Sequence, residues 1–209
     1  MRDHLPVLLP TLYSETVVKP DLIRTVQMGP WQHKVDEGLD TRKTAWETLY
    51  TLVSVSAYNA RIDNLLMCVS QLDTCLHKLD LPTFLTHLLP ALSDPSDEIK
   101  VLAHLLLGRL STITLCVPLL LARLDALTPA LEATMRGAPI TKDTVKQDLE
   151  RAAELRRSTM RAVAALVKVI VVGNATGAVT TGATQKFEVF AEDIKRNEQW
   201  GVEFRELIG

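Results

Sequence analysis

Residues 143–171, DTVKQDLERAAELRRSTMRAVAALVKVIV, form the longest periodic segment of this 209-residue chain, and their period decides the fold class. Val145, Leu149, Ala152, Met160, Val163 and Val167 recur on one stripe, while Glu150, Arg151, Arg157 and Lys168 lie outside it, the 3.6-residue signature of an amphipathic helix. Helical period runs backward from there through Cys116 to Met135, closed by Gly137 and Pro139, then Ser96 to Ile113, Leu81 to Leu89 and Thr44 to Leu52. Pro95 and Ser96 ahead of Asp97 and Glu98 place N-cap chemistry and negative charge where a helix dipole favours them. Forward, a Gly/Thr/Ala stretch from Gly173 to Thr184 reads as a flexible loop, followed by two short closing helices, Phe187 to Ile194 and Trp200 to Ile208. Near the N-terminus, Leu5, Leu8, Leu9 and Leu12 mark a helix from His4 to Tyr13 that Pro10 is placed to kink. It starts almost at Met1 without a preceding partner helix, so the chain is expected to enter an architecture midway.

Between Leu22 and Val35 the helical period disappears. Two β-prone arms, Leu22 to Met28 and Trp31 to Val35, flank Gly29-Pro30; on the second arm Trp31, His33 and Val35 share one side and Gln32 and Lys34 the other. This is the pattern of a β-hairpin with a tight connection, the alternative being an irregular loop between helices.

Three helix starts carry a common signature: Asp40-Thr41-Arg42-Lys43, Asp97-Glu98-Ile99-Lys100 and Asp143-Thr144-Val145-Lys146. Each reads as an acidic cap opening the second helix of a pair, with a basic residue one turn in. The last two lie 46 residues apart, within the range of roughly 40 to 47 for HEAT-type repeats, but the first two are 57 apart. Deleting Val53 to Gln71 (VSVSAYNARIDNLLMCVSQ) restores a spacing of 38 and joins Leu52 to Leu72 in one helix. Val-Ser is an in-frame reading of a splice donor and a Gln codon can be the CAG of an acceptor, so 53–71 reads as a retained intron; a structural insertion is the alternative.

Composition narrows the function classes. A 47% apolar content supports a folded core, and 5% aromatics with only 9 Gly favour aliphatic helix packing over sheets. A net charge of −2 gives no bulk field for nucleic acid. Neither a signal-peptide succession nor an apolar run of roughly 18 residues is present, so a soluble chain of cytoplasm and nucleus, without a membrane partner, is expected. Cys68, Cys75 and Cys116 read as reduced core thiols, and Asn174-Ala175-Thr176 as a chance glycosylation sequon. His4, His33, His77, His87 and His104 are scattered, with no nucleophile elbow, phosphate loop or metal spacing beside them, so no enzyme activity, metal or cofactor is expected. Arg151, Arg156, Arg157 and Arg161 read as a solvated face balanced by Glu150 and Glu154, or as a patch for an acidic segment.

Lys19 to Arg24, Met28-Gly29-Pro30 and Val35 to Asp40, followed by Asp80-Leu81, Val117 to Asp125 (VPLLLARLD) and Ser158 to Leu166, closely resemble the cullin-associated, neddylation-dissociated family, also called the TATA-binding-protein-interacting family. The resemblance covers nearly the whole chain, departing at 53–71 and in a longer, more glycine-rich 173–184 stretch. It implies an all-α solenoid of HEAT-type helix pairs, an ARM-like superhelix, with one projecting hairpin. Residues 1–35 would be the end of a helix pair plus the hairpin, and 36–209 the C-terminal HEAT-type domain. The long N-terminal run of repeats is missing, so the chain resembles a fragment, a separately encoded C-terminal half, or a truncated gene.

The implied activity is an assembly and exchange factor of SCF-type cullin-RING ubiquitin ligases. Such factors wrap around an unneddylated cullin, and a hairpin competes with the substrate-receptor adaptor. A separate chain would then carry the N-terminal repeats. Partner-binding positions are Arg24, Val26, Gln27 and Met28 on the first arm, Gly29 and Pro30 at the turn, and Trp31, Gln32 and His33 on the second. Trp31 is either an interface anchor or a core residue folded back on the first helix pair. Trp200, Val202, Phe204 and Leu207 are expected to close the terminal repeat. A scaffold for TATA-binding-protein complexes is the second reading, and a karyopherin-like transport module the third.

Sequencing the transcript tests the repeat register: messengers lacking codons 53–71 are expected, and uniform retention of those codons overturns the intron reading.

Overall fold

In a computed structural model of the chain, residues 4–66, 79–137, 145–177 and 182–209 are described. In order they form α1 (Leu5–Glu15), β1 (Ile23–Met28), β2 (Trp31–Asp36), α2 (Leu39–Leu66), α3 (Leu81–Ala91), α4 (Asp97–Leu110), α5 (Val117–Leu121), α6 (Leu124–Arg136), α7 (Lys146–Ala175), α8 (Gly182–Arg196) and α9 (Gly201–Ile208). One layer consists of α2, α4, α7 and α9, each packed on the next; α1, α3, α6 and α8 back them as partners. The protein is therefore an all-α solenoid of helix pairs carrying one two-stranded antiparallel sheet.

Helix α4 shows why these sequences pair up. Ile99, Ala103, Leu106, Leu107 and Leu110 recur at helical spacing and are all buried, facing α2 and α7. Asp97 and Glu98 occupy its first turn and Arg109 its last, each at the end where the dipole favours it. Ser96 is the N-cap residue, but its hydroxyl makes no capping bond; the local satisfaction comes from Asp94 Oδ1, which accepts the Ser96 N–H at 2.8 Å. Asp40 and Asp97 likewise sit inside the first turn instead of capping it. Asp143 and Thr144 lie outside the described residues, and α7 starts at Lys146.

Several other expectations change in detail. The single helix expected from Cys116 to Met135 is a 3-10 turn at Thr114–Cys116 followed by α5 and α6. The break falls at Ala122 and Arg123, with Arg123 as N-cap of α6. Gly137 ends α6 with φ 62°. On the apolar stripe of α7, Met160 and Val163 are buried and Val167 is half-buried, but Val145 and Leu149 at its start are 61% and 38% exposed. Residues 53–66 continue α2, and 67–71 lie outside the described residues. Gly173 to Ala175 belong to α7 and Gly182 to Thr184 to α8, with 178–181 outside the described residues. Helix α1 runs through Pro10 without a break in its assignment.

An 18-residue window of α7 reaches a mean hydropathy of 1.4, yet 56% of it is buried against other helices, so core packing accounts for its apolar character. At the C-terminal end Phe204 is fully buried and Trp200 half-buried, with the Arg156 guanidinium 4.3 Å from the indole centroid. Val202 does not join them: two residues from Phe204 it falls on the opposite side of α9 and stays 59% exposed. Cys116 is buried, and burial raises its thiol pKa to about 11; Cys68 and Cys75 lie outside the described residues.

His104 in α4 is 2% exposed, and among the described residues neither ring nitrogen has a hydrogen-bond partner. Burial, with a smaller contribution from the Lys100 charge, lowers its pKa from 6.5 to about 4. The unfolded chain therefore takes up this proton first, so the stability is complete above pH 6.5 and declines as pH falls from 6.5 toward 4. The loss amounts to roughly 3 kcal/mol by pH 4. Urea titrations across that range are expected to show the decline in the unaltered chain and a flatter profile in His104→Leu; identical profiles would remove His104 as the cause.

Candidate partner-binding site

The hairpin closes through a two-residue turn. Gly29 takes the first central position with φ 64°, Pro30 follows with its ring-restricted φ, and Met28 pairs with Trp31 across them. Gln27 Nε2 donates to the Gly29 carbonyl at 2.8 Å. The register, from Ile23 opposite Asp36 to Met28 opposite Trp31, places the positions of Arg24 and Val35, Val26 and His33, and Met28 and Trp31 on one face. Ile23 and Asp36, Thr25 and Lys34, and Gln27 and Gln32 take the other. The candidate residues thus do not form one surface: Gln27 and Gln32 lie across the sheet from Arg24, Val26 and His33.

Among the strand side chains described, all are exposed except half-buried Asp36. Val26 and Val35 keep 43% and 42% of their surface open, so the body of the protein does not cover the apolar face of the hairpin. Arg24 reaches Glu37 at 3.3 Å on the surface, an exposed pair of small energetic value.

The base of the hairpin is different. Arg42 on α2 is 1% exposed, and its Nη2 donates to Asp36 Oδ2 at 2.9 Å and to Asp94 Oδ1 at 3.3 Å. Its Nε lies 3.0 Å from Asp94 Oδ2, a charge contact outside hydrogen-bond geometry. Asp36 Oδ1 also accepts the Gly38 N–H at 3.0 Å. A Cβ on Gly38 would stand 3.0 Å from Leu22 Cδ1, so glycine here allows the strand ends and α2 to meet. Removing one member of such a buried cluster costs about 3–5 kcal/mol in comparable cases.

Beside this base an open groove of about 790 Å³ lies against the hairpin's second face. Ile23 and Lys34 form one wall and Leu39, Val101, Leu102 and Arg151 contribute from α2, α4 and α7. No local pattern marked it, because five elements build it; the one available signal is that Val101 and Leu102 broaden the apolar stripe of α4 beyond a single face. Nearby, Glu154 pairs with Arg157 at 3.8 Å and with Arg161 at 3.6 Å on the surface, while Arg156 is half-buried against Trp200, so the basic stretch is a balanced, solvated face except at Arg156.

The histidines do not converge. His4 and His33 are exposed, His87 stacks on Tyr13 with centroids 4.4 Å apart, His104 is buried and His77 lies outside the described residues. Among the described residues no three His, Cys, Asp or Glu side chains are grouped to hold a metal. What the site presents is shape, backbone and apolar surface.

A stacked array of helix pairs with one exposed hairpin defines a helical-repeat binding scaffold. The chain belongs to the TIP120 family, described as TATA-binding protein interacting (TIP20), which it matches over residues 1–195. It is 43% identical over 167 residues to cullin-associated NEDD8-dissociated protein 2 of Mus musculus, covering 80% of this chain and 12% of that protein. Cullin-associated NEDD8-dissociated protein 1 of Dictyostelium discoideum is 33% identical over 208 residues, 100% of this chain and 14% of the relative. The protein named cullin-associated NEDD8-dissociated protein 1, C-terminal part, of Emericella nidulans is 30% identical over 204 residues, 98% of this chain and 17% of the relative. The chain thus spans 12 to 17% of the length of these relatives.

Gly29→Ala meets no steric obstacle, since nothing lies within 4 Å of the added Cβ, so its cost is conformational. A destabilisation of the hairpin by about 1–2 kcal/mol is expected from placing a side chain at positive φ. Hydrogen exchange should quicken in β1 and β2 while the helical amides keep their protection; unchanged strand exchange would contradict this account of the turn.

Proposed function

We propose that this chain is a non-catalytic, cullin-binding piece of an assembly factor for SCF-type cullin-RING ligases, acting in cytoplasm and nucleus. Its helix layer holds an unneddylated cullin, and the hairpin occupies the surface that the substrate-receptor adaptor uses, so factor and adaptor displace one another. The observation that carries this reading is the hairpin: two strands standing in solvent, with Val26 and Val35 uncovered, in a chain whose relatives are named for cullin association. Apolar surface held out on a projecting element favours recognition over scaffolding.

The partner set includes a separate chain bearing the N-terminal repeats. Two observations support it: Val7 and Leu8 on α1 are 74% and 55% exposed, a face suited to a preceding helix pair, and one relative is itself named a C-terminal part. Contacts at both ends of a cullin would gain from effective concentration, so this chain alone should bind more weakly than the reconstituted pair. The second reading, a scaffold for TATA-binding-protein complexes, is favoured by the family's description.

The deciding experiment is retention of unmodified cullin, neddylated cullin and TATA-binding protein on the immobilised chain. Selective capture of unmodified cullin supports the first reading; capture of TATA-binding protein alone replaces it with the second. Trp31→Ala is expected to weaken cullin binding by about 2 kcal/mol, roughly thirtyfold, as for an interface anchor. Loss of thermal stability with unchanged affinity would instead assign Trp31 to the core.

A further inference from the structure

We propose that the Asp36–Arg42–Asp94 cluster is a positioning device for the hairpin, with Arg42 setting the direction in which the two strands leave the helical body. The proposal rests on the hairpin docking described above and adds the residues that make that docking possible.

A two-stranded ribbon in water is marginal by itself and has no intrinsic reason to hold one direction. Here the strand side chains described are exposed up to the end of β2, so none of them packs on the helices firmly enough to orient the ribbon. Connection to the body runs through the base. Asp36, the last residue of β2, gives Oδ2 to Arg42 Nη2 at 2.9 Å and Oδ1 to the Gly38 N–H at 3.0 Å, tying the strand end to α2 from both oxygens. Arg42 in turn reaches Asp94, whose side chain is 4% exposed and whose Oδ1 also holds the Ser96 N–H at 2.8 Å. One guanidinium therefore joins the hairpin, α2 and the turn that starts α4.

The planar fork of Arg suits this role because it contacts two carboxylates in fixed relative directions, which a Lys ammonium does not impose. Burial adds rigidity: a charge at 1% exposure has no water to exchange for its partners. On the other side of the ribbon, the Glu37 N–H donates to the Leu22 carbonyl at 3.0 Å, extending the ladder one step beyond the strands so that β1 follows wherever β2 is held. Gly38 lets Leu22 press into the junction, and Leu39 begins α2 directly after it.

The test measures orientation and binding separately in the full chain. Residual dipolar couplings of the strand amides should fit the alignment tensor of the α4 and α7 amides. In Asp36→Ala, which leaves the Arg42–Asp94 pair in place, they should require a separate, smaller one while the helical amides are unchanged. Arg42→Lys should do the same to a lesser degree, and Asp36→Asn provides a milder variant that keeps the side-chain volume. If the docking-competent direction falls to about a tenth of the population, affinity for unmodified cullin drops about tenfold. Trp31→Ala, by contrast, should lower affinity with the couplings intact. A single tensor in Asp36→Ala and Arg42→Lys overturns the positioning role and leaves the docking reading standing. Separate tensors with undiminished affinity, while Trp31→Ala loses affinity, also overturn it. Undiminished affinity in all variants overturns the docking reading and this proposal with it.

Discussion

Helix α4 is packed on two sides, by α2 and by α7, and most of what the chain must be follows from that double burial. A helix covered on one side needs a single apolar stripe; one inserted in a stack needs a wider band, and on α4 the stripe of Ile99, Ala103, Leu106, Leu107 and Leu110 is widened by half-buried Leu102 on one flank and buried His104 on the other. Once α4 is enclosed, its neighbours meet the same demand for a buried stripe. Trp46, Leu49 and Val53 meet it on α2, and Met160, Val163 and Leu166 meet it on α7. The demand ends at α9, which buries Phe204 and leaves its opposite side to solvent, Val202 included. His104 shows how strict the enclosure is: an imidazole in the middle of the band stays neutral far below its ordinary titration range.

The hairpin obeys an opposite logic. Its described side chains bury almost nothing, so its order has to be imported from where the chain re-enters the stack. A buried guanidinium is an expensive way to import it, since desolvating one cation and two carboxylates can cost as much as their attraction returns. A hydrophobic plug of equal volume could serve stability equally well, but it would not fix an angle. Directional contacts from a planar fork do, which is why charge is found at this junction and aliphatic packing between the helices.

Much of this was legible in the residues because it is local. Gly29-Pro30 between two period-two arms announces the hairpin and its turn without reference to the rest of the fold, and the leucine spacing of 81–89 and 97–110 announces α3 and α4. The failures are nonlocal. The break at Ala122 and Arg123 lies between α5 and α6, both of which meet α7, while the residues themselves keep a plausible single period. Val145 and Leu149 continue the stripe of α7 in sequence yet stay exposed, because burial depends on what other elements bring to that end of the helix. Val202 is apolar like Phe204, but residues two apart on a helix cannot share a face, and it stays in solvent.

Arg42 marks the sharpest limit. In the sequence it precedes Lys43, the basic residue one turn into its helix start and the counterpart of Lys100, and it takes the place that Ile99 has in the second start; the charges of the three do not by themselves tell their partners apart. In the folded chain they have separate fates. Lys100 turns back to Asp97 in its own helix at 2.9 Å, and Lys43 crosses to Glu98 at 2.6 Å, joining the first turns of α2 and α4 at the surface. Arg42 alone goes inward, to a carboxylate 52 residues away. The charge pattern that looks like a repeat register is therefore also the wiring between successive repeats: one partner keeps a helix, one aligns two helices, and one fixes what projects from them. Which residue takes which part depends on Asp94 arriving from the α3–α4 turn, a fact that exists only after the stack has formed.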